Sequence, residues 1–313
     1  MPRFILFLLA CSTATAGEPV TTTIDPATVP AMYRLAPATF DVTVTKKYDL
    51  IHSNVEVYDV TFPSAVKSPY PENNIVYAEL FRPKTAAKTP TVIIFDILDG
   101  ATVVSRGQAM WLAQHNITAM AFTMAYYGPR RPAGTKMRMI MPDIEHSVTA
   151  VQQTVLDARR AIQYLATRPD VDTAHLGVVG TSLGSFIGGL VAASEPKITH
   201  ATLMLGGGDL VNAFYDHPKA KTFRAVNDLL GFGKGQLHKM IDPVDPITYA
   251  EQLKTKKLML IAASRDDVVP PIAMKKLWEA TDRPSILWLN ATHVGAAAYI
   301  FPMMTSVIES INK

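Results

Sequence analysis

Apolar and polar positions along the 313-residue chain follow three different rules. Residues 17–39 show no period. Threonines at 21–23 and prolines at 19, 26, 30 and 37 predict an extended tether or loosely packed arm. Residues 40–82 alternate. Val42 and Val44 sit among threonines, Val55 and Val57 give way to Val60 and Phe62, and 75–81 alternates again. That period of two predicts antiparallel strands joined across a turn-rich segment at 63–74. From residue 91 onward short apolar runs alternate with helical periodicity. The near-continuous run 91–97 reads as a strand buried on both faces. A helix follows from Ser105, which has capping-box spacing to Gln108, and then a strand over 117–124. Between 146 and 168, Val148, Val151, Val155, Ala158, Ile162 and Leu165 recur three or four apart, an amphipathic helix stopped by Pro169. Strands at 176–179 and 198–205 flank a helix of small residues. Residues 206–256 then break the rhythm with a helical, mixed-charge insertion expected to lie over the strand ends as a lid. The alternation resumes with a strand at 257–264, a helix at 271–281, a strand at 285–290 and a last helix at 294–312. The whole predicts one doubly wound α/β domain, mostly parallel, with an antiparallel entry.

Composition narrows the function classes. Apolar residues make up 48 % and charged ones 18 %, which suits a large core and argues against disorder. A net charge of +3, spread without any lysine or arginine run, gives no basis for nucleic-acid binding. The single cysteine, Cys11, excludes an intramolecular disulfide. At the N-terminus Arg3, the apolar run 4–10 and the small residues Ala14-Thr15-Ala16 form a signal-peptide pattern ending near residue 16. Leu8-Leu9-Ala10-Cys11 equally resembles a lipobox, in which Cys11 carries a lipid anchor. Either route exports the protein to a periplasmic or secreted location, with membrane contact only through that anchor.

The chemistry concentrates at Gly180-Thr181-Ser182-Leu183-Gly184, set between a predicted strand and a predicted helix. Gly-x-Ser-x-Gly in that context is a nucleophile elbow. The tight turn pushes the serine hydroxyl clear of the sheet, and the glycines remove side chains that would collide there. Ser182 is then the nucleophile, and the N–H of Leu183, at the helix start, is an oxyanion donor. A serine hydroxyl needs an imidazole beside it. Of eight histidines, His293 alone falls in a loop directly after the last strand, followed by small residues. In the loop after the 117–124 strand, Tyr127 and Arg130 are candidate substrate contacts. Met137, Met139 and Met141 either line an acyl pocket or pack beneath the lid. No His/Cys/Asp/Glu spacing calls for a metal, and no cofactor is expected.

The order Gly-x-Ser-x-Gly, then Asp266-Asp267-Val268-Val269-Pro270 after a strand, then His293 after the last strand, resembles the α/β-hydrolase fold over about residues 40–312. Within it the chain is most similar to dienelactone-hydrolase-like and acetyl-xylan-esterase-like serine esterases. The helix and turn 158–172 also look like the segment preceding the elbow in prolyl-oligopeptidase-type domains. The resemblance implies a triad of Ser182, His293 and Asp266, with Asp267 and Asp209 as other origins for the acid. It implies a second oxyanion donor after residue 97, for which Leu98 matches the position. It departs from dienelactone hydrolases in having serine rather than cysteine, and it lacks the usual His-Gly pair after the third strand. The expected activity is hydrolysis of carboxylic esters borne by a small molecule or a carbohydrate. A serine peptidase and a non-catalytic ligand-binding scaffold are the alternatives.

Overall fold

A computed structural model describes residues 17–100, 102–215 and 233–313. The signal segment with Cys11, and Phe223 and Phe232 of the expected lid, lie outside those residues. Ten strands occur in chain order: β1 (Glu18–Thr21), β2 (Thr39–Asp49), β3 (Val55–Pro63), β4 (Ile75–Pro83), β5 (Thr89–Phe95), β6 (Thr118–Phe122), β7 (Val171–Thr181), β8 (His200–Met204), β9 (Lys257–Ala263) and β10 (Ser285–Leu289). They join in one sheet in the order β1-β2-β3-β4-β6-β5-β7-β8-β9-β10. The first four strands and the β4–β6 pair are antiparallel, and every pairing from β6 to β10 is parallel.

Helices cover both faces, as a sheet with two apolar sides requires. On one face α1 (Val103–Gln114) and the C-terminal helix Ile300–Ile311 bury Ala109, Leu112, Met303, Met304 and Val307. On the other, α2 (Ile144–Thr167) and α3 (Leu183–Ser194) bury Ala158, Ile162, Ile187 and Leu190. The shift of apolar phase inside β3 now has a cause. Val55 and Val57 belong to the first core, Val60 and Phe62 to the second, so one strand feeds both layers by changing phase. The run Val294–Ile311, with mean hydropathy 1.4, is long and apolar enough to cross a membrane, yet its Met303, Met304 and Val307 pack against the sheet.

Residues 17–39 are not the expected tether. β1 pairs antiparallel with β2, and Val29, Tyr33 and Leu35 are buried. The physical reason lies far along the chain. Arg159 of α2 is fully buried, and an unpaired guanidinium there would be very costly. Asp25 closes on it with two contacts of 2.6 and 2.8 Å, and Glu195 adds a third at 3.1 Å. The arm therefore completes a buried ion cluster. The capping box expected at Ser105 is not formed either. α1 starts at Val103, and Ser105 Oγ donates to Asp96 at 2.8 Å instead.

Candidate active site

The chain leaves β5 for β6 on one side and returns to β7 on the other, so a crevice opens at the carboxyl ends of β5 and β7, where the strand order reverses. The Leu98 loop follows β5, and the elbow follows β7. Ser182 sits at φ 55°, ψ −118°, a region L-residues rarely adopt and which costs about 1–3 kcal/mol. Two glycines allow the turn. A Cβ on Gly180 would strike the Gly184 carbonyl, and one on Gly184 would strike the Phe95 carbonyl. The Ser182 N–H donates to Met204 O at 2.8 Å, which fixes the turn against the neighbouring strand.

His293 bridges the other two members. Its Nε2 lies 2.9 Å from Ser182 Oγ, and its Nδ1 lies 2.7 Å from Asp266 Oδ2. A carboxylate can only accept, so Nδ1 carries a proton and a neutral ring presents a bare Nε2 to the hydroxyl. Asp266 is itself oriented. Its Oδ1 accepts the N–H groups of Val268 at 2.9 Å and Val269 at 2.8 Å, leaving Oδ2 for the imidazole. The other candidate acids are placed differently. Asp209 accepts from Asn212 Nδ2 at the start of the helix Leu210–Tyr215, and Asp266 rather than Asp267 meets the imidazole.

The loop after β5 is held by its own polar groups. Asp96, buried, accepts the N–H of Ile97 and both the N–H and the hydroxyl of Ser105. The Gly100 N–H donates to Ile97 O, and the Asp99 N–H donates to Tyr127 Oη at 3.1 Å. Among the described residues, the Leu98 N–H has no such partner, and neither has the Leu183 N–H. Both amides thus remain available for a ligand oxygen beside Ser182.

Two residues expected to touch substrate do not line the cavities at Ser182. Arg130 is fully buried and donates to Asp157 at 2.6 Å, to Asn73 O at 2.9 Å and to Thr123 O at 3.2 Å. A guanidinium in so dry a place is a structural cation, and three acceptors bind its two terminal nitrogens, with Nε left unbonded among the described residues. Tyr127 is buried too, and burial pushes its phenol up to about 12, so it stays protonated while holding Asp99. Sequence reading missed the acceptors because they come from three separate segments.

Two cavities meet at Ser182. One, of about 440 Å³, lies between α2, α3 and the described residues Leu210, Val211, Phe214 and Leu237, which form part of its wall. The other, of about 690 Å³, lies between α1 and the C-terminal residues from His293 to Met304. Leu98, Ser182 and Val268 border both. Of the three methionines, Met141 lines the first cavity and Met139 belongs to the core.

Residues 149–289 match the model of the prolyl oligopeptidase family. An uncharacterized protein of Mycobacterium tuberculosis is 26 % identical over 184 residues, covering 54 % of this chain and 40 % of that protein. The chain thus spans well under half the length of the curated relative it matches. Among solved structures, an acetyl xylan esterase from a Paenibacillus species superposes with a TM-score of 0.69 at 16 % identity, over 86 % of this chain and 89 % of that one. An acetyl xylan esterase from a Thermoanaerobacterium species gives 0.61 at 17 %, over 84 % and 87 %. A cold-adapted esterase from an Arctic intertidal metagenomic library gives 0.57 at 16 %, over 84 % and 94 %. At such identities the structural likeness establishes the fold alone. With the prolyl oligopeptidase match it supports a serine hydrolase in general terms, and the chain has the α/β-hydrolase fold.

Proposed function

We propose that the protein hydrolyses carboxylic esters through a Ser182–His293–Asp266 triad and an acyl-enzyme. The observation that carries this reading is His293 lying within hydrogen-bond reach of both partners, 2.9 Å from Ser182 and 2.7 Å from Asp266. In the first half-reaction the Ser182 proton passes to His293 Nε2 as Oγ attacks the ester carbon. The carbonyl electron pair moves onto oxygen, for which the Leu98 and Leu183 N–H groups would be the donors. When the C–O bond to the alcohol breaks, the leaving oxygen takes the proton from Nε2. In the second half, water gives a proton to Nε2 and attacks the acyl carbon. The bond to Oγ breaks, and Ser182 regains its proton. The net change is ester plus water to acid plus alcohol. Asp266 holds the ring and stabilises its charged form throughout.

The prolyl oligopeptidase match favours one second reading, cleavage of peptide amides. Against it, among the described residues neither cavity is lined by an acidic or basic side chain other than His293 to anchor a peptide's charges. The N-terminal pattern around residues 4–16 supports an exported protein. A fluorophosphonate probe should label the purified protein, and nitrophenyl esters should turn over faster than the matching anilides. Ser182→Ala should abolish both while circular dichroism stays unchanged. Labelling that survives in Ser182→Ala, or a folded wild type that never labels, would remove the reading.

A further inference from the structure

The two cavities at Ser182 differ in one respect that assigns their occupants. His293 lines the larger cavity and not the smaller. Given the triad proposed above, the leaving oxygen must reach Nε2 for its proton, so the alcohol side of the ester lies in the His293 cavity. The acyl side is then left to the smaller cavity, which Leu183 borders.

Both cavities are apolar. In the acyl cavity the hydroxyl-bearing residues are Ser147, Ser182 and Tyr215, amid residues such as Phe186, Leu210, Val211 and Phe214. In the alcohol cavity the polar side chains are Gln108, Trp111, Thr181, Ser182 and His293. The Gln108 amide nitrogen is bonded to Thr181 at 3.2 Å, which leaves the Gln108 amide oxygen and the Trp111 indole N–H as buried groups without a partner among the described residues. A sugar ring placed there would give up water at several hydroxyls and find few partners. An alkyl or aryl group loses nothing of the kind. The mouth of the alcohol cavity points the same way, since Val103, Val294 and Phe301 are 73 %, 78 % and 59 % exposed. Each cavity falls in the volume range of small-molecule pockets, roughly 300–1,000 Å³. An acetyl group would leave the acyl cavity almost empty.

We propose that the substrate is an ester apolar on both sides of its carbonyl, a medium-chain acyl group in the smaller cavity and an apolar alcohol in the α1/C-terminal cavity. This rests on the serine-esterase reading, and the experiment separates the two. Active sites are first counted by fluorophosphonate titration, and kcat/KM per titrated site is then measured on a grid of esters. One axis runs from acetyl to decanoyl, the other from methyl to octyl and nitrophenyl, with acetylated xylan alongside. Along each axis kcat/KM should rise about fourfold per added methylene over the first several carbons, the transfer value of a buried methylene. Phe214→Ser should flatten the acyl axis alone, and Phe301→Asp the alcohol axis alone. For esters sharing an acyl group, Phe301→Asp should leave the single-turnover deacylation rate unchanged, because the alcohol has already departed. A protein that titrates fully yet prefers acetyl esters or acetylated xylan overturns the substrate class and leaves the esterase standing. Crossed effects of the two variants overturn the assignment of sides. A protein that does not titrate overturns both.

Discussion

The hydroxyl of Tyr127 accepts the backbone N–H of Asp99 at 3.1 Å, one residue beyond Leu98. The same Asp99 carboxylate is held by Arg131 and Arg138. A buried phenol on a different strand's loop thus clamps the turn that carries the Leu98 amide past Ser182. In the sequence Tyr127 reads as a substrate contact. In the fold it holds the turn beside Leu98 and lines neither cavity. Tyr127→Phe should lower kcat about fivefold with little change in KM, matching the ~1 kcal/mol of one neutral hydrogen bond. A larger change in KM than in kcat would mean that the phenol meets substrate directly.

The acid gives a sharper contrast. Asp266 spends one oxygen on two backbone donors and the other on His293. Asparagine can keep the first arrangement but presents an NH2 to Nδ1, which drives the imidazole to the wrong tautomer. Asp266→Asn should therefore cut kcat/KM by ~10⁴ with the fold intact. Asp267→Asn should stay within about twofold of wild type. Comparing the two variants on one nitrophenyl ester decides it, and the reverse ranking would move the acid by one residue.

The elbow and His293 were legible because each is specified locally, whereas Asp266 followed from the family resemblance, with Asp267 and Asp209 left beside it. A serine between two glycines, after a strand and before a helix, admits little else, and His293 follows the last strand directly. What the sequence could not display is whatever depends on distant segments meeting. The Pro- and Thr-rich composition of 17–39 hides that Asp25 and Tyr33 face a buried Arg159 more than a hundred residues on. A charged residue on the apolar face of α2 was the available signal. The cavities are built from at least five separated segments, and of these only the part from 206 onward left a trace in the sequence, as a break in rhythm.

Arg130 tests that lesson. Its guanidinium and the Asp157 carboxylate are both fully buried and 2.6 Å apart, with Ser64 Oγ and the Ala65 N–H completing the aspartate's shell at 2.7 Å each. Arg130→Met removes the buried cation from Asp157 and leaves it only the Ser64 and Ala65 donors. We expect a loss of about 3–5 kcal/mol in urea unfolding. The folded fraction should keep wild-type KM and an unchanged ester preference. A raised KM with unaltered stability would return Arg130 to the substrate site.

Asp245 links the 206–256 segment to pH. It is 1 % exposed, and its carboxyl accepts the N–H groups of Leu210 at 2.6 Å, Ile247 at 3.1 Å and Asp209 at 3.2 Å. It thereby fixes the start of the helix whose Leu210, Val211 and Phe214 wall the smaller cavity. Burial pushes this carboxyl from 3.8 up to about 6, against the pull of those donors and with Asp209 repelling it. The sign follows by linkage. Below about 3.8 both states are protonated, and between about 3.8 and 6 the folded protein keeps the proton while the unfolded chain releases it. The Asp245 contribution is therefore fully present at the acid end and is lost as pH rises through about 6. Asp245→Asn cannot titrate, and its amide nitrogen cannot accept the Leu210 N–H. Thermal unfolding of both proteins from about pH 4 to 7 should show the wild-type advantage shrinking as pH rises. An advantage that grows across that window would mean the three donors hold the carboxylate ionised, and that the helix is docked by charge rather than by a buried acid.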